Sequence, residues 1–504
     1  MDGVKPFRIK NGIRCNQKRF LAMECAIENE PDLEKRCKLA YEAALFAVTH
    51  TTDIFASPAI ERTFIELAQK HSVSLASKYQ KGTILHVMTM AYTTGGHTRC
   101  VERFAQILKE FNHSCVLLDQ QDKIPQQLDH IMQESGGSLK IYDPQKSMLE
   151  RALDLRKYAS NFEYIILHIH MQDPTALIAF GTEDFKRPVI FFNHANHTFW
   201  LGISITDQIT ELSKYGQHMN VEYRGCDRSS ILGVPMSMNK RCNVSKESAR
   251  KKIGVPLNKK MIFSAGHELK YRPVNNISFY DIVSAIIRNS KSDIVFCVAG
   301  IVHQSGFWRT LKRRYPNNVL ILGQLDSDTE YPYYLAAADL IIDSWPVGGG
   351  TFIIDAITAG KPVLSLFDRI QFDYLLESRS CCHSFNELIN KALKILSNSE
   401  FADEIYEDIK QRFIEKHSYD VWSKRFYDII SELPQKHSIY GFNRTIPDKI
   451  TDCSLQCYMW IEGADSFFMA LMKNILKSVL YINISRKKKV IRLFGIYLLN
   501  KHVR

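Results

Sequence analysis

The sequence predicts an α/β protein of two doubly wound domains, with a helical N-terminal extension and a helical, basic C-terminal tail. Three observations carry this. Short buried-looking apolar runs alternate with amphipathic stretches from about residue 82 to 434, the pattern of βαβ units on a parallel sheet. Glycine-bearing loops stand between such a run and the following helix at TTGGHTR (93–99), GHELKYRP (266–273) and VGGG (347–350). The chain, at 504 residues, is also too long for one ordinary core. The expected division is 1–80 for the extension, 81–240 and 241–434 for the two domains, and 435–504 for the tail.

Composition sets bounds on function. Hydrophobic residues at 45% and charged residues at 24% are those of a soluble globular protein. A net charge of +11 suits an anionic ligand or an acidic membrane surface, and is too diffuse for a dedicated nucleic-acid binder. The opening MDGVKPFRIKNGIRCNQKRF lacks the apolar core of a secretory signal. No apolar run approaches the roughly 20 residues that span a bilayer. The 12 cysteines show no CxxC or Cys/His metal spacing. Free thiols in a reducing cytoplasm are therefore expected.

In the extension, CKLAYEAALFAVTH and SPAIERTFIELAQKH place apolar residues at helical spacing and carry no evident chemistry. The pattern changes at Gly82. TILHVMTMA reads as a buried strand, TTGGHTR as a loop, and CVERFAQILKEF as a helix with Val101, Phe104, Ile107, Leu108 and Phe111 on one face. VLLD (116–119) is the next strand, and 124–160 reads as connecting structure and helix. YIILHIHMQDP (164–174) is a strand whose alternation sets His168 and His170 on one side. Two such histidines with no third ligand at metal spacing do not make a metal site. Pro188 to Phe192 is a further strand, with NHANH (193–197) at its carboxyl end and Phe199-Trp200 beyond. The latter pair reads as a buried aromatic couple or as the wall of an acceptor pocket. ITDQITELSKYG is expected to be helical, and a basic linker (236–258) leads out of the domain.

Met261 to Ala265 opens the second domain, followed by the loop carrying Gly266, His267, Lys270 and Arg272. The helix FYDIVSAIIRNS and the strand DIVFCVAGI continue the alternation. Asp326-Ser327-Asp328 matches a metal-binding DxD only formally, because it sits where a helix would be capped. The most informative stretch is DLIIDSWPVGGGTFIIDAITAGKPVLSL (339–366). It reads as strand Leu340–Ile342, glycine loop Gly348–Gly350, a helix from Thr351 to Gly360, and strand Pro362–Leu366. Glycines before a helix N-terminus let backbone N–H groups approach an anion that the helix dipole favours.

This string resembles the nucleotide-sugar site of GT-B glycosyltransferases, whose two Rossmann-like domains face each other across a cleft. The resemblance covers roughly 82–434. In the second domain it is similar to the protein O-linked N-acetylglucosamine transferases and their bacterial N-glucosyltransferase relatives. It implies that Gly349, Gly350 and Thr351 hold the donor diphosphate, with Asp355 facing the donor and Lys270 and Arg272 neutralising the phosphates. Gly95 and Gly96 match the glycine-rich loop after the first strand, with His97 beside donor or acceptor. His194 matches the histidine placed beside the donor sugar or attacking hydroxyl, with His197 as the alternative. Trp200 joins the acceptor side. The implied reaction moves a sugar from a nucleotide-diphosphate sugar, a UDP-sugar first among them, to a glycan, a lipid-linked glycan or a protein, without metal or other cofactor. Val347 stands where retaining relatives carry their first glutamate, so retention and inversion both stay open. No 34-residue tetratricopeptide period precedes the core. A nucleotide-sugar epimerase of GT-B-like fold and a non-catalytic binding scaffold are the alternatives. The tail, with Arg486-Lys487-Lys488-Lys489 among apolar stretches, is a candidate for contact with an acidic membrane face.

Overall fold

The structure, a computed structural model, describes residues 4–461 except 72, 77, 94–95, 236–243, 272–277, 303–305, 327–328, 349 and 368–372. It also describes 491–493 and 496–498. Two parallel sheets organise the chain. The first contains β1 (Gln80–Met88), β2 (Asn112–Leu117), β3 (Leu139–Ile141), β4 (Phe162–His168), β5 (Val189–Phe192), β6 (Gln208–Glu211) and β7 (Ser229–Ile231). Their order is β3-β2-β1-β4-β5-β6-β7. The second contains β8 (Lys260–Ala265), β9 (Ile294–Ala299), β10 (Val319–Leu322), β11 (Leu340–Ile342), β12 (Val363–Leu366) and β13 (Cys381–Cys382), in the order β10-β9-β8-β11-β12-β13.

Such strands need covering on both faces, which is why they read as unbroken apolar runs. Leu340, Ile341 and Ile342 are all fully buried, a burial that stabilises by roughly 1.5–3 kcal/mol per side chain. Strand order reverses between β1 and β4 in the first sheet and between β8 and β11 in the second. In doubly wound sheets, ligands collect outside the carboxyl ends of the strands at that reversal.

One expectation fails in the first domain. ITDQITELSKYG is not one helix: Gln208–Glu211 is β6, and a helix follows only over Lys214–Met219. Ile209 and Thr210 are fully buried between β5 and β7, and tertiary burial of a β-branched pair outweighs the helical spacing. The short edge strands β3 and β7 carry too few residues to show a period.

The extension forms helices Val4–Asn29, Leu33–Thr49 and Pro58–Gln69. Ser57 caps the last by accepting the Ile60 N–H, and Pro58 starts it. Phe20, Ala40 and Phe64 share a core with Leu85, Ile165 and Phe191, so these helices cover one face of the first sheet. Glu61, fully buried, accepts the backbone N–H groups of Gly202, Ile203 and Ser204 at 2.7–3.1 Å.

After β13, helices Phe385–Ser397 and Ser399–His417 complete the second domain, and helix Tyr419–Ser431 returns to the first. There Trp422 meets Phe104 edge-on at 4.7 Å, and the Tyr419 hydroxyl donates to the Ile107 carbonyl. The following segment stays bound. His437 pairs with the buried Asp207 at 2.8 Å, Arg444 pairs with Glu24, and the Thr451 hydroxyl donates to Asp53. Helix Asp452–Ile461 closes it. Tail residues 435–461 are therefore part of the folded body. Further on, Ile491–Leu493 pairs antiparallel with Ile496–Leu498, a hairpin where helix was expected. The basic run 486–489 lies outside the described residues. No described helix is long and apolar enough to cross a membrane.

Candidate functional site

The glycine loop follows β11, at the reversal point of the second sheet. Gly350 has φ +56°, a left-handed value that favours glycine, and helix Thr351–Thr358 starts immediately after it. No side chain caps this helix, which leaves its first N–H groups for water or a ligand. Beside it, in the turn after β8, Lys270 donates its ammonium to the Gly348 carbonyl at 2.6 Å. Ser344 Oγ donates to Val347 O at 2.6 Å, fixing the other side of the loop. Burial lowers the pKa of Lys270, partly opposed by the nearby Asp343. Loop and cation are thus one unit, although some 80 residues separate them in sequence.

Across from this unit lies the reversal point of the first sheet. A Cβ placed on Gly96 would come within 2.8 Å of Thr351 Cγ2. The N-terminal ends of helices Gly96–Ile107 and Thr351–Thr358, one from each domain, therefore abut, and glycine is what permits the approach. The two helices are also clasped. Asp355 accepts from Arg103 at 2.8 Å and from Arg99 at 3.1 Å, and the Tyr331 hydroxyl donates to it at 3.2 Å. Asp355, implied to face the donor, is bound in this interdomain pair. Arg99 also lies over the Tyr331 ring.

Histidines crowd the first-domain side. His97 and His194 meet ring to ring at 4.3 Å, nearly perpendicular, and His97 lies about 6 Å from His170. The Tyr92 hydroxyl is 2.8 Å from His170 Nε2. His168 Nδ1 lies 3.0 Å from His194 Nε2. Burial holds all these imidazoles below their ordinary pKa, His97 at about 4 and His194 well below 6.5. At neutral pH they are neutral, the state in which a ring nitrogen accepts a proton.

The loop carrying His194 is held from behind. Asn193 Nδ2 and Asn220 Nδ2 both donate to Glu211 at 2.7 Å. The buried Arg224 donates to the carbonyls of Asn196 and Thr198 at 2.8 and 2.7 Å. Burial pushes the Glu211 carboxyl up to about 7. His197 is half-buried, and burial with the charges of Arg224 and Lys270 lowers it to about 4. Its proximity to Lys270 places it between the two loops. The His197 carbonyl faces Cys453 Sγ at 3.0 Å, and Gln456 of the same helix donates to Pro346 O at 3.1 Å. Helix Asp452–Ile461 thus bridges the two domains beside the site.

The expectation for Trp200 is corrected. Its side chain is fully buried, stacked on Phe191 at 4.4 Å and lying under Arg224. It supports the histidine loop and forms no acceptor wall; Phe199 is buried with it. Gly95, Arg272 and Gly349 lie outside the described residues. Among those described, no group of three or more His, Cys, Asp or Glu could hold a metal ion. Arg103, Glu211 and Arg224 escape sequence reading because their partners in the site are distant in the chain. Strand register could have paired Glu211 with Asn193, since Phe192 stands opposite Thr210.

No protein-family model matches this chain. No curated protein matches it either. Among solved structures, it is similar to HepE of Anabaena in complex with UDP and glucose. The identity is 13% over 69% of this chain and 100% of that one, with a TM-score of 0.56. HepE in complex with UDP-glucose matches at 12% identity over the same shares, also at 0.56. TarM matches at 9% identity over 70% of this chain and 99% of that one, at 0.50. Likeness at these identities is likeness of fold. The architecture is that of GT-B glycosyltransferases: two doubly wound parallel sheets whose reversal points face each other.

Proposed function

We propose that this protein is a glycosyltransferase that moves a sugar from a nucleotide-diphosphate sugar, a UDP-sugar, to an acceptor hydroxyl. The observation that carries the reading is the abutment of Gly96 on Thr351. It sets an uncapped helix start and Lys270 beside a group of neutral histidines. Lys270, the N–H groups at Gly350 and Thr351, and Arg272 and Gly349 from the loops would receive the diphosphate. They would stabilise the charge that develops on it as the sugar leaves. His194, with His97 against it, would accept the acceptor's proton as the new bond to the anomeric carbon forms. His197 would contact the sugar between the two loops. The reading needs no metal, because the cation and the helix start supply the positive charge. The UDP and UDP-glucose in the HepE complexes support the choice of donor. A hexose or N-acetylhexosamine is the sugar class, and a glycan, lipid-linked glycan or protein the acceptor class. The cysteine pattern supports a cytoplasmic setting, and the basic run at 486–489 supports contact with an acidic membrane face.

The test uses the full chain with UDP-, GDP-, ADP- and CMP-sugars, following thermal stabilisation and nucleotide release together. One nucleotide sugar should stabilise the protein, and Lys270→Ala and Thr351→Ala should abolish that stabilisation. His194→Ala should keep the stabilisation and lose nucleotide release by about 10²–10⁴-fold. Absence of stabilisation by every sugar would reject the donor site.

A further inference from the structure

Two histidines in the strands of the first sheet, His86 and His113, lie behind the site and connect to it through His168. His113 Nε2 lies 2.9 Å from the Leu108 carbonyl, and His113 Nδ1 lies 3.0 Å from His86 Nε2. His86 Nδ1 is 3.1 Å from His168 Nε2, and His168 Nδ1 is 3.0 Å from His194 Nε2. The chain crosses β2, β1, β4 and the end of β5 without a gap. Register explains it. Ile84 stands opposite His113, so His86 is two residues further along β1. Met88 stands opposite His168, again a step of two. Leu167 stands opposite Phe191, and continuing that register makes His194 the third such step. A step of two keeps every side chain on one face. The histidines therefore climb diagonally from mid-sheet to its carboxyl edge. His86, His113 and His168 are fully buried, and Phe104 lies edge-on to both His86 and His168.

The first link sets a direction. A carbonyl oxygen only accepts, so His113 must donate from Nε2 and, being neutral, must accept at Nδ1. His86 then donates from Nε2 and accepts at Nδ1, and His168 does the same. We propose that His113, His86 and His168 are positioning residues: a one-way imidazole chain, anchored on the Leu108 carbonyl, that fixes His194 as its Nε2–H tautomer with the lone pair on Nδ1. Burial favours the neutral rings this requires. This rests on the reading of His194 as proton acceptor. When Nδ1 takes the proton from the acceptor O–H, the oxygen's electron pair forms the bond to the anomeric carbon. The bond to phosphate oxygen breaks, and its electron pair leaves with the diphosphate. The resulting imidazolium keeps its Nε2–H on His168 Nδ1, a charge-assisted bond polarised along the chain.

The test is long-range ¹H–¹⁵N correlation on the ¹⁵N-histidine-labelled full chain at neutral pH, paired with nucleotide release from the UDP-sugar that stabilises the protein. In the native protein His194 should be protonated at Nε2 and bare at Nδ1. His113→Phe removes the anchor. It should give His194 a mixture of tautomers and lower kcat about tenfold, with donor stabilisation and KM unchanged. His86→Gln keeps a donor at one end and an acceptor at the other. It should preserve the native tautomer and lose far less activity. A native His194 protonated at Nδ1 would overturn the proposal, as would a His113→Phe protein with native tautomer and kcat. If the native tautomer is found and no nucleotide sugar binds or turns over, the transferase reading fails while the chain stands.

Discussion

The two sheets share one topology around their reversal points and differ in what they place beneath them. In the second sheet the strands at the reversal are apolar, with Met261, Ile262, Phe263, Leu340, Ile341 and Ile342 all buried. Its proposed chemistry lies above them, in loop backbone and loop cations, Lys270 among them. In the first sheet the chemistry continues down into the strands, through His168, His86 and His113. An anion is held by groups that converge from a surface, so loops suffice. A neutral base with a defined lone pair needs a partner behind it, and that partner must be set by the scaffold. The difference makes the first domain the more sensitive to acid and the second the more tolerant of changes beneath its loop.

Acid should bring out the largest contrast. His86, His97, His113, His168 and His194 all have folded pKa values below the ordinary 6.5, His97 and His113 at about 4. The unfolded chain therefore binds more protons between pH 6.5 and about 4, and stability falls as pH drops through that window. Glu211, raised to about 7, works the other way: the folded state holds its proton first, so its contribution grows as pH falls from about 7 to 4.5. Burial raises the Glu61 and Asp53 carboxyls in the same sense as Glu211, but it also lowers His170, His197 and His417, and the imidazoles, being more numerous, should win. Urea midpoints measured from pH 7.5 to 5 should fall steadily. A flat or rising midpoint would show that the histidines are not buried as neutral rings.

The seam between the domains comes next. Trp422 is fully buried against Phe104, and its indole N–H donates to the Gly233 carbonyl at 3.3 Å. Trp422→Ala should cost about 3–5 kcal/mol. Phe104 also packs on His86 and His168, so the loss should disturb the histidine side first. Two denaturation transitions, with the imidazole resonances lost in the earlier one, would sharpen the contrast; a single transition at the native midpoint would remove it.

Both reversal points were legible in the sequence because their strands are unbroken apolar runs followed by glycine loops. The strand–loop–helix–strand unit at 339–366 could be placed almost to the residue for that reason. Lys270 was legible as a loop cation, His97 as the histidine of a glycine loop and His194 as a histidine at a strand end. The histidine chain was not, since His86 is a single polar residue inside an apolar run, His113 stands between Asn112 and Ser114 at the polar start of its strand, and only the two-residue stagger of parallel neighbours aligns them. Trp200 was misplaced on the acceptor side because an aromatic after a strand end reads alike whether it faces a cleft or the core. Asp355 could be seen as an acid on the right helix, but its arginine partners lie some 250 residues away.

That clasp supplies the smallest predicted effect and the finest comparison. Arg99 and Arg103 share one carboxylate, but Arg103 is 8% exposed and Arg99 is 25% exposed. Arg103 also donates to the Pro235 carbonyl at 3.4 Å, and its contact with Asp355 is the shorter one. Without Arg103, Asp355 keeps only the more exposed Arg99 and the Tyr331 hydroxyl, whereas without Arg99 it keeps its most desolvated partner and water readily replaces the exposed one. Arg103→Ala should therefore cost about 3 kcal/mol, and Arg99→Ala about 1 kcal/mol or less. High salt should shrink only the Arg99 effect, because screening acts on the exposed charge. Chemical denaturation of both variants at low and high salt reads the difference directly. Equal costs at both salt levels would mean that Asp355 is solvated in solution and that the two domains are not joined through it.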